Sequence, residues 1–208
     1  MPVSRSPFQQ ILGASILLIV AGILFIPAYL LWNASIQHSA ESLPRCGHAP
    51  AFQEKDQAGR PIGIADLRGR VWLADFVNIA DPDQGELLTS EFAELDQNSQ
   101  RSGELALISF SIGAGSGTGV QGYAQRHEAS SRWHFLATGE SLTLIVKQWS
   151  AATTACRGTL PLEKAVVLVD QDNEIRGVYD ASAPEVVQRI LTDVGGLLRA
   201  GQSSGPAP

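Results

Sequence analysis

Two apolar runs with a helix-length segment between them constrain this chain most. Residues 71–77 (Val-Trp-Leu-Ala-Asp-Phe-Val) are apolar except for Asp75, short enough for a buried strand. Residues 104–112 repeat that pattern. Between them, Leu87, Leu88, Phe92 and Leu95 recur at helical spacing, so a helix is expected over about residues 86–100. Further helices are expected over 120–127 and 141–149, with a short extended piece at 133–136. Residues 52–64 read as a hairpin turning at Asp56-Gln57-Ala58-Gly59-Arg60. Residues 165–169 and 175–179 flank Asp170-Gln171-Asp172-Asn173 as a second hairpin. Pro184 is expected to open a last helix, whose apolar face carries Val186, Val187, Ile190, Leu191, Val194, Leu197 and Leu198. Strand–helix–strand followed by helix, hairpin and helix implies an α/β domain, its central sheet covered by helices on both faces.

Ahead of that domain, residues 11–32 form an apolar run of 22 residues without a formal charge. At about 1.5 Å per residue such a helix spans a bilayer core. Arg5 is the only charged side chain before it, and no Lys or Arg follows until Arg45. The positive-inside rule then keeps the N-terminus in the cytoplasm and puts the body outside. A cleaved signal peptide is the alternative, but the run is long for one and His38-Ser39-Ala40 is a poor cleavage site. The expected organisation is a cytoplasmic N-terminus (1–10), a transmembrane anchor (11–32), a spacer (33–43), a folded domain (44–200) and a disordered tail (201–208). The localisation expected is that of a single-pass inner-membrane protein with an extracytoplasmic, periplasmic domain. A formal charge of −6 offers no basic stripe for phosphates, which excludes a nucleic-acid role.

The strand-to-helix turn, Ala74-Asp75-Phe76-Val77-Asn78-Ile79-Ala80-Asp81-Pro82-Asp83-Gln84-Gly85-Glu86, carries a family likeness. So do Ala49-Pro50-Ala51-Phe52, Asp66-Leu67-Arg68-Gly69-Arg70-Val71-Trp72, Leu107-Ile108-Ser109-Phe110-Ser111, Arg132-Trp133-His134-Phe135, and Val167-Leu168-Val169-Asp170 through Gly177-Val178-Tyr179-Asp180. In order and spacing these stretches resemble the Sco/SenC family, membrane-anchored copper proteins that help assemble cytochrome c oxidase. The resemblance implies a thioredoxin-like fold with added hairpins behind one transmembrane helix. It also implies copper ligands: two turn cysteines at i and i+4, and a histidine shortly before the second hairpin. Those three places read Asp81, Gly85 and Leu162 here, and no histidine follows His134. Without soft or imidazole donors at these places, neither copper binding nor dithiol exchange is expected there. The resemblance therefore implies an accessory to oxidase or copper-centre assembly, with no cofactor and no enzymatic activity. It would act by contact with protein partners such as oxidase subunits or copper chaperones.

The remaining candidates have plain and functional readings. Asp81, Pro82, Asp83, Gly85 and Glu86 suit a turn entering a helix, where carboxylates favour the macrodipole; a hard-cation site is the alternative. Cys46 and Cys156 both follow the apolar run. A structural disulfide, two free thiols, and a displaced redox or metal pair all stay open. The alternatives for function are accordingly a thiol redox or metal protein using that pair, or a small-ligand binding module. His48, His127 and His134 lack metal-ligand spacing, and His134 reads as a surface-facing strand residue. Asp75 stands where the resemblance places an acid beneath the active turn; without cysteines it reads as a hydrogen-bonded structural aspartate. The glycine-rich stretch 113–119 lacks the lysine of a phosphate loop and reads as a flexible connection.

Overall fold

A computed structural model describes residues 43–79, 82–99, 105–112, 117–138 and 142–203. The expected anchor at residues 11–32 lies outside them, and among the described residues no helix is long and apolar enough to cross a membrane. The chain runs β1 (Gly47–His48), β2 (Gln53–Lys55), β3 (Pro61–Gly63), a 3-10 turn (Ile64–Leu67), β4 (Val71–Val77) and α1 (Pro82–Asn98). It continues with β5 (Leu105–Ser111), α2 (Gly117–Arg126), β6 (Trp133–Leu136), α3 (Leu142–Arg157) and a second 3-10 turn (Leu162–Lys164). β7 (Ala165–Val169), β8 (Glu174–Asp180) and α4 (Val186–Ser203) complete it.

The main sheet has the order β1-β8-β7-β4-β5-β6, and β2 pairs with β3 in a separate hairpin. β4, β5 and β6 are parallel, while β7 and β8 run antiparallel beside β4. Every residue of β4, β5 and β7 is buried, as a sheet with helices on both faces requires. Strand alternation divides the core in two. Val71, Leu73 and Val77 of β4 pack with Leu88, Phe92 and Leu95 of α1 and with Ile190 and Val194 of α4. Trp72, Ala74 and Phe76 face the other way, toward Phe52, Phe110, Ile145 and Trp149. There Phe76 and Phe110 stack at 5.1 Å and Trp149 meets Trp72 edge-on at 5.8 Å.

Several helix bounds differ from the sequence expectation. α1 begins at Pro82 rather than near residue 86. α3 continues past Trp149 to Arg157, through two threonines that have low helix propensity. Their hydroxyls bond back along the helix, Thr153 to the Trp149 carbonyl and Thr154 to that of Ser150, both at 2.7 Å. Trp149, Thr153 and Cys156 fall on one side at i, i+4 and i+7 spacing, so core packing carries the helix on. Pro184 does not open α4: Glu185, at φ 60°, intervenes and supplies the first helical carbonyl to the Arg189 N–H. The tail expected to be disordered from residue 201 is corrected at its start, since α4 includes residues 201–203; residues 204–208 lie outside the described residues. The glycine stretch is likewise split: residues 113–116 are not described, while Gly117 and Gly119 belong to α2.

Candidate functional site

The turn from β4 into α1 sits at the carboxyl end of the parallel strands. Asp81 lies outside the described residues, and of Pro82 and Asp83 only the helical backbone is described. Gly85 is buried in the first turns of α1, and Glu86 beside it is exposed. A Cβ placed on Gly85 would lie 2.9 Å from the Asn78 carbonyl oxygen and 3.1 Å from both the Tyr123 hydroxyl and Val77 Cγ2. Thr89 fixes this packing by donating its hydroxyl to the Gly85 carbonyl at 2.8 Å. That uses the only Thr89 proton, so the Tyr123 hydroxyl donates to Thr89 Oγ1 at 2.7 Å. Burial pushes the Tyr123 phenol above its ordinary range; the Thr89 contact opposes this, and Glu86 and Asp75 add to it. Sequence reasoning missed this pair of hydroxyls, because nothing local ties residue 123 to residue 89.

Gly85 is thus held as glycine by its surroundings as well as by the helix. Gly85→Cys should destabilise the fold by about 1–3 kcal/mol, the usual cost of forcing side-chain atoms into filled space. Urea denaturation checks this; an unchanged midpoint would mean that Asn78 and Tyr123 move aside freely.

Asp75 lies on the α1 face of β4, opposite Ser109 in the parallel register. It is fully buried, and among the described residues neither carboxyl oxygen has a hydrogen-bond partner. Burial pushes its pKa up to about 8, with the Ser109 hydroxyl and the Asp75 backbone opposing. The expectation of a hydrogen-bonded aspartate is therefore corrected. Burial therefore favours the protonated form, the cheaper course for a carboxyl in an apolar setting. Ser109 accepts from the Trp133 indole N–H at 2.9 Å, and among the described residues the Ser111 hydroxyl has no partner. Asp75, Ser109 and Ser111 form a polar seam under α1.

Leu162 is buried on the opposite face of the sheet, in the same cluster as Trp149. Cys46 and Cys156 are joined in a disulfide with a Cα–Cα separation of 5.6 Å. It ties the segment before β1 to the last turn of α3, on the Leu162 face and away from Asp75. Of the residues proposed for the copper place, the structure leaves Gly85 and Leu162 without a donor side chain. Among the described residues no group of three or more His, Cys, Asp or Glu could hold a metal ion.

The histidines fall elsewhere. His48 is exposed in β1, and the His127 ring, just past α2, lies tilted against the Tyr123 ring at 4.6 Å between centroids. His134 is not surface-facing: its side chain is 14% exposed and Nδ1 lies 3.3 Å from Asp56 Oδ2. Burial holds its pKa below the ordinary value, with Asp56 opposing. Asp56 also accepts from the backbone N–H groups of Ala58 and Arg60 and from Arg60 Nε, at 2.9, 2.9 and 3.0 Å. Burial raises the Asp56 pKa, but these bonds outweigh it and the net direction is down. The signal was Asp56 heading a turn with Arg60 four residues on, a frame that folds an aspartate onto its own backbone.

No protein-family model matches the chain. Nor does any of the curated proteins compared with it. Solved structures do. A SCO1/SenC family lipoprotein from Bacillus anthracis str. Ames superposes with a TM-score of 0.61 at 23% identity, covering 73% of this chain and 95% of that one. The fold is thioredoxin-like. BsSco, a member of the Sco family of cytochrome c oxidase assembly proteins, also gives a TM-score of 0.61, at 20% identity over 75% of this chain and 95% of its own. Bradyrhizobium japonicum ScoI, solved with copper bound, gives 0.55 at 15% identity over 73% and 99%. The same thioredoxin-like frame is shared by a thiol-disulfide oxidoreductase domain from Bacteroides vulgatus at 0.55 and 15% identity, covering 74% of this chain and 99% of that one. The structural neighbours thus include the Sco proteins that the sequence motifs resemble.

Proposed function

We propose that this chain is a Sco/SenC-like accessory protein, anchored by residues 11–32 with its domain outside the cytoplasm. It would act in oxidase or copper-centre assembly by protein contact, without copper or dithiol chemistry at the β4–α1 turn. The observation that carries this reading is the packing at Gly85. A main-chain carbonyl and a phenol occupy the space that a second cysteine side chain would need. The donors present do not fit copper either: Leu162 is an aliphatic core residue, and both thiols of the described residues are consumed in the disulfide. Function resides in the site rather than the fold, so the family's activity does not transfer with the frame.

The expected result for copper is that the full chain, in detergent, retains no Cu(I) against a chelator of micromolar-range affinity. Stoichiometric retention that disappears in Cys46→Ser would defeat the reading. Crosslinking of the membrane-bound chain should bring down oxidase subunits or copper chaperones, and recovery of neither would remove the assembly role. The second reading is a thiol redox protein working through Cys46 and Cys156, favoured by their pairing in the structure. It requires dithiothreitol at millimolar levels to reduce the folded chain completely and reversibly.

A further inference from the structure

The side of α1 turned away from the sheet borders a second concave surface, remote from the hairpins. Leu88, Phe92 and Leu95 pack inward, while Leu87, Glu91 and Glu94 follow at i, i+4 and i+7 on the adjoining side. At the helical rise that row is about 10 Å long. Leu87 is 42% exposed, one of two large hydrophobic side chains left so among the described residues. It lines a cleft of about 460 Å³ between α1 and the segment joining β8 to α4, whose far wall includes Ala183, Glu185 and Val187. Leucine, alanine and valine give the cleft an apolar floor, and three carboxylates stand around it.

The charges there have one sign. Among the described residues no Lys, Arg or His lines the cleft; Arg189 follows Glu185 by one turn of α4 and lies outside the lining. Elsewhere in the fold Asp56, Asp96 and Asp170 each meet an arginine. Glu91, Glu94 and Glu185 have no ion-pair partner among the described residues. Burial pushes the Glu91 carboxyl above its ordinary range, and the neighbouring Glu94 charge adds to this. A cation between them would relieve that repulsion. The same field repels an anionic bilayer, and a second copy of a chain with net charge −6 brings like charge. Residues 204–208 are uncharged, so the tail offers no cation. No group of three or more His, Cys, Asp or Glu among the described residues could hold a metal ion, which disfavours a bare ion. The complement of these walls is an apolar side chain flanked by basic ones.

We infer that the α1–α4 cleft is a docking site for a cationic amphipathic helix of a partner protein. An apolar side chain of the guest covers Leu87 and enters the cleft, and Lys or Arg one turn to either side meets Glu91, Glu94 and Glu185. The row of about 10 Å from Leu87 to Glu94 matches two turns of such a helix, which repeats its side chains at the same i, i+4 and i+7 spacing. This rests on the reading that the chain acts by protein contact, and it adds the surface and the chemistry of the partner.

The probe is a fluorescent 14-residue peptide of leucine and lysine patterned as an amphipathic helix, titrated into the full chain in an uncharged detergent. Peptide partition into detergent is common to every protein compared, so differences between proteins report the cleft. The parent should bind it at least tenfold more tightly than the same peptide with glutamate for lysine. Glu91→Gln, Glu94→Gln and Glu185→Gln together should weaken binding at least tenfold, and Leu87→Ser alone at least fivefold. Salt raised from about 50 to about 500 mM should weaken the parent more than the triple variant. Equal binding by parent and triple variant overturns the proposal. An unchanged affinity in Leu87→Ser does so too, because the carboxylates would then attract cations without a docking surface. Equal binding of a proline-interrupted peptide of the same composition overturns the helical guest. Should a variant fail to fold, a photoreactive version of the peptide decides on the parent alone: it must label residues 87–94 and 181–188, and labelling elsewhere defeats the site. These outcomes leave the crosslinking test of oxidase subunits and copper chaperones untouched, so the two readings fail separately.

Discussion

Replacing both cysteines, Cys46→Ala with Cys156→Ala, should lower the unfolding free energy by about 3–5 kcal/mol. The bridge spans a sequence separation of 110, and closing a loop of that size in the unfolded chain is worth about 4–5 kcal/mol in the chain-entropy model. The folded side of the argument is local. β1 has two residues and pairs with β8 only through Gly47↔Ile175 and His48↔Glu174. Cys46 adds one bond, its N–H to the Ile175 carbonyl at 2.9 Å. Ala49 adds another, its N–H to the Asn173 carbonyl at 2.9 Å, Arg45 pairs with Glu174, and Arg176 donates to the carbonyls of Pro44 and Leu43, each at 3.1 Å, and to Asp170 at 2.9 Å. Without the bridge, residues 43–50 should exchange their amides first while β4 and β5 stay protected. Equilibrium urea unfolding and amide exchange on the full chain measure both effects. A loss below about 1 kcal/mol would mean that Arg176 and β8 hold the segment by themselves, and that the disulfide is free to serve chemistry instead.

Much of the fold was legible because the strands are fully buried and therefore apolar without interruption. Residues 71–77 and 104–112 could be read as central strands for that reason, and the structure has β4 and β5 there. The hairpins were legible through their turn chemistry, Asp56 to Arg60 and Asp170 to Asn173. What failed was the length of α3. The sequence after Trp149 is Ser-Ala-Ala-Thr-Thr-Ala-Cys, where threonine propensity argues against a helix that packing and back-bonded hydroxyls then sustain. The site was legible in its substitutions and illegible in its fillings. The turn could be seen to carry glycine at position 85, but Tyr123 and Asn78 reach that glycine only through the tertiary fold. His134 failed for the same reason, since its partner Asp56 is 78 residues away in sequence.

Stability should fall as pH rises from about 4 to 8, and Asp75 should be the cause. Burial raises the Asp75 pKa in the folded state from the ordinary carboxylate range to about 8. Across that interval the folded chain keeps a proton that the unfolded chain has released. Linkage then makes the stabilising contribution complete below the unfolded pKa and lost as pH climbs through the folded one. The expected loss between pH 4.5 and pH 8.5 is about 2–4 kcal/mol, less than a full burial penalty because relaxation admits some solvent. His134 works in the opposite sense. Its folded pKa is held down by burial, so its contribution is present above the unfolded value near 6.5 and fades as pH falls. Asp75→Asn separates the two, because the amide is isosteric and cannot ionise. The variant should match the parent within about 1 kcal/mol at pH 4.5 and exceed it by about 2–4 kcal/mol at pH 8.5. Parallel pH profiles for the two proteins would show that Asp75 is charged in the folded state, with partners supplied on opening. In that case the seam beneath α1 is wet, and the acid is available to a ligand at the turn.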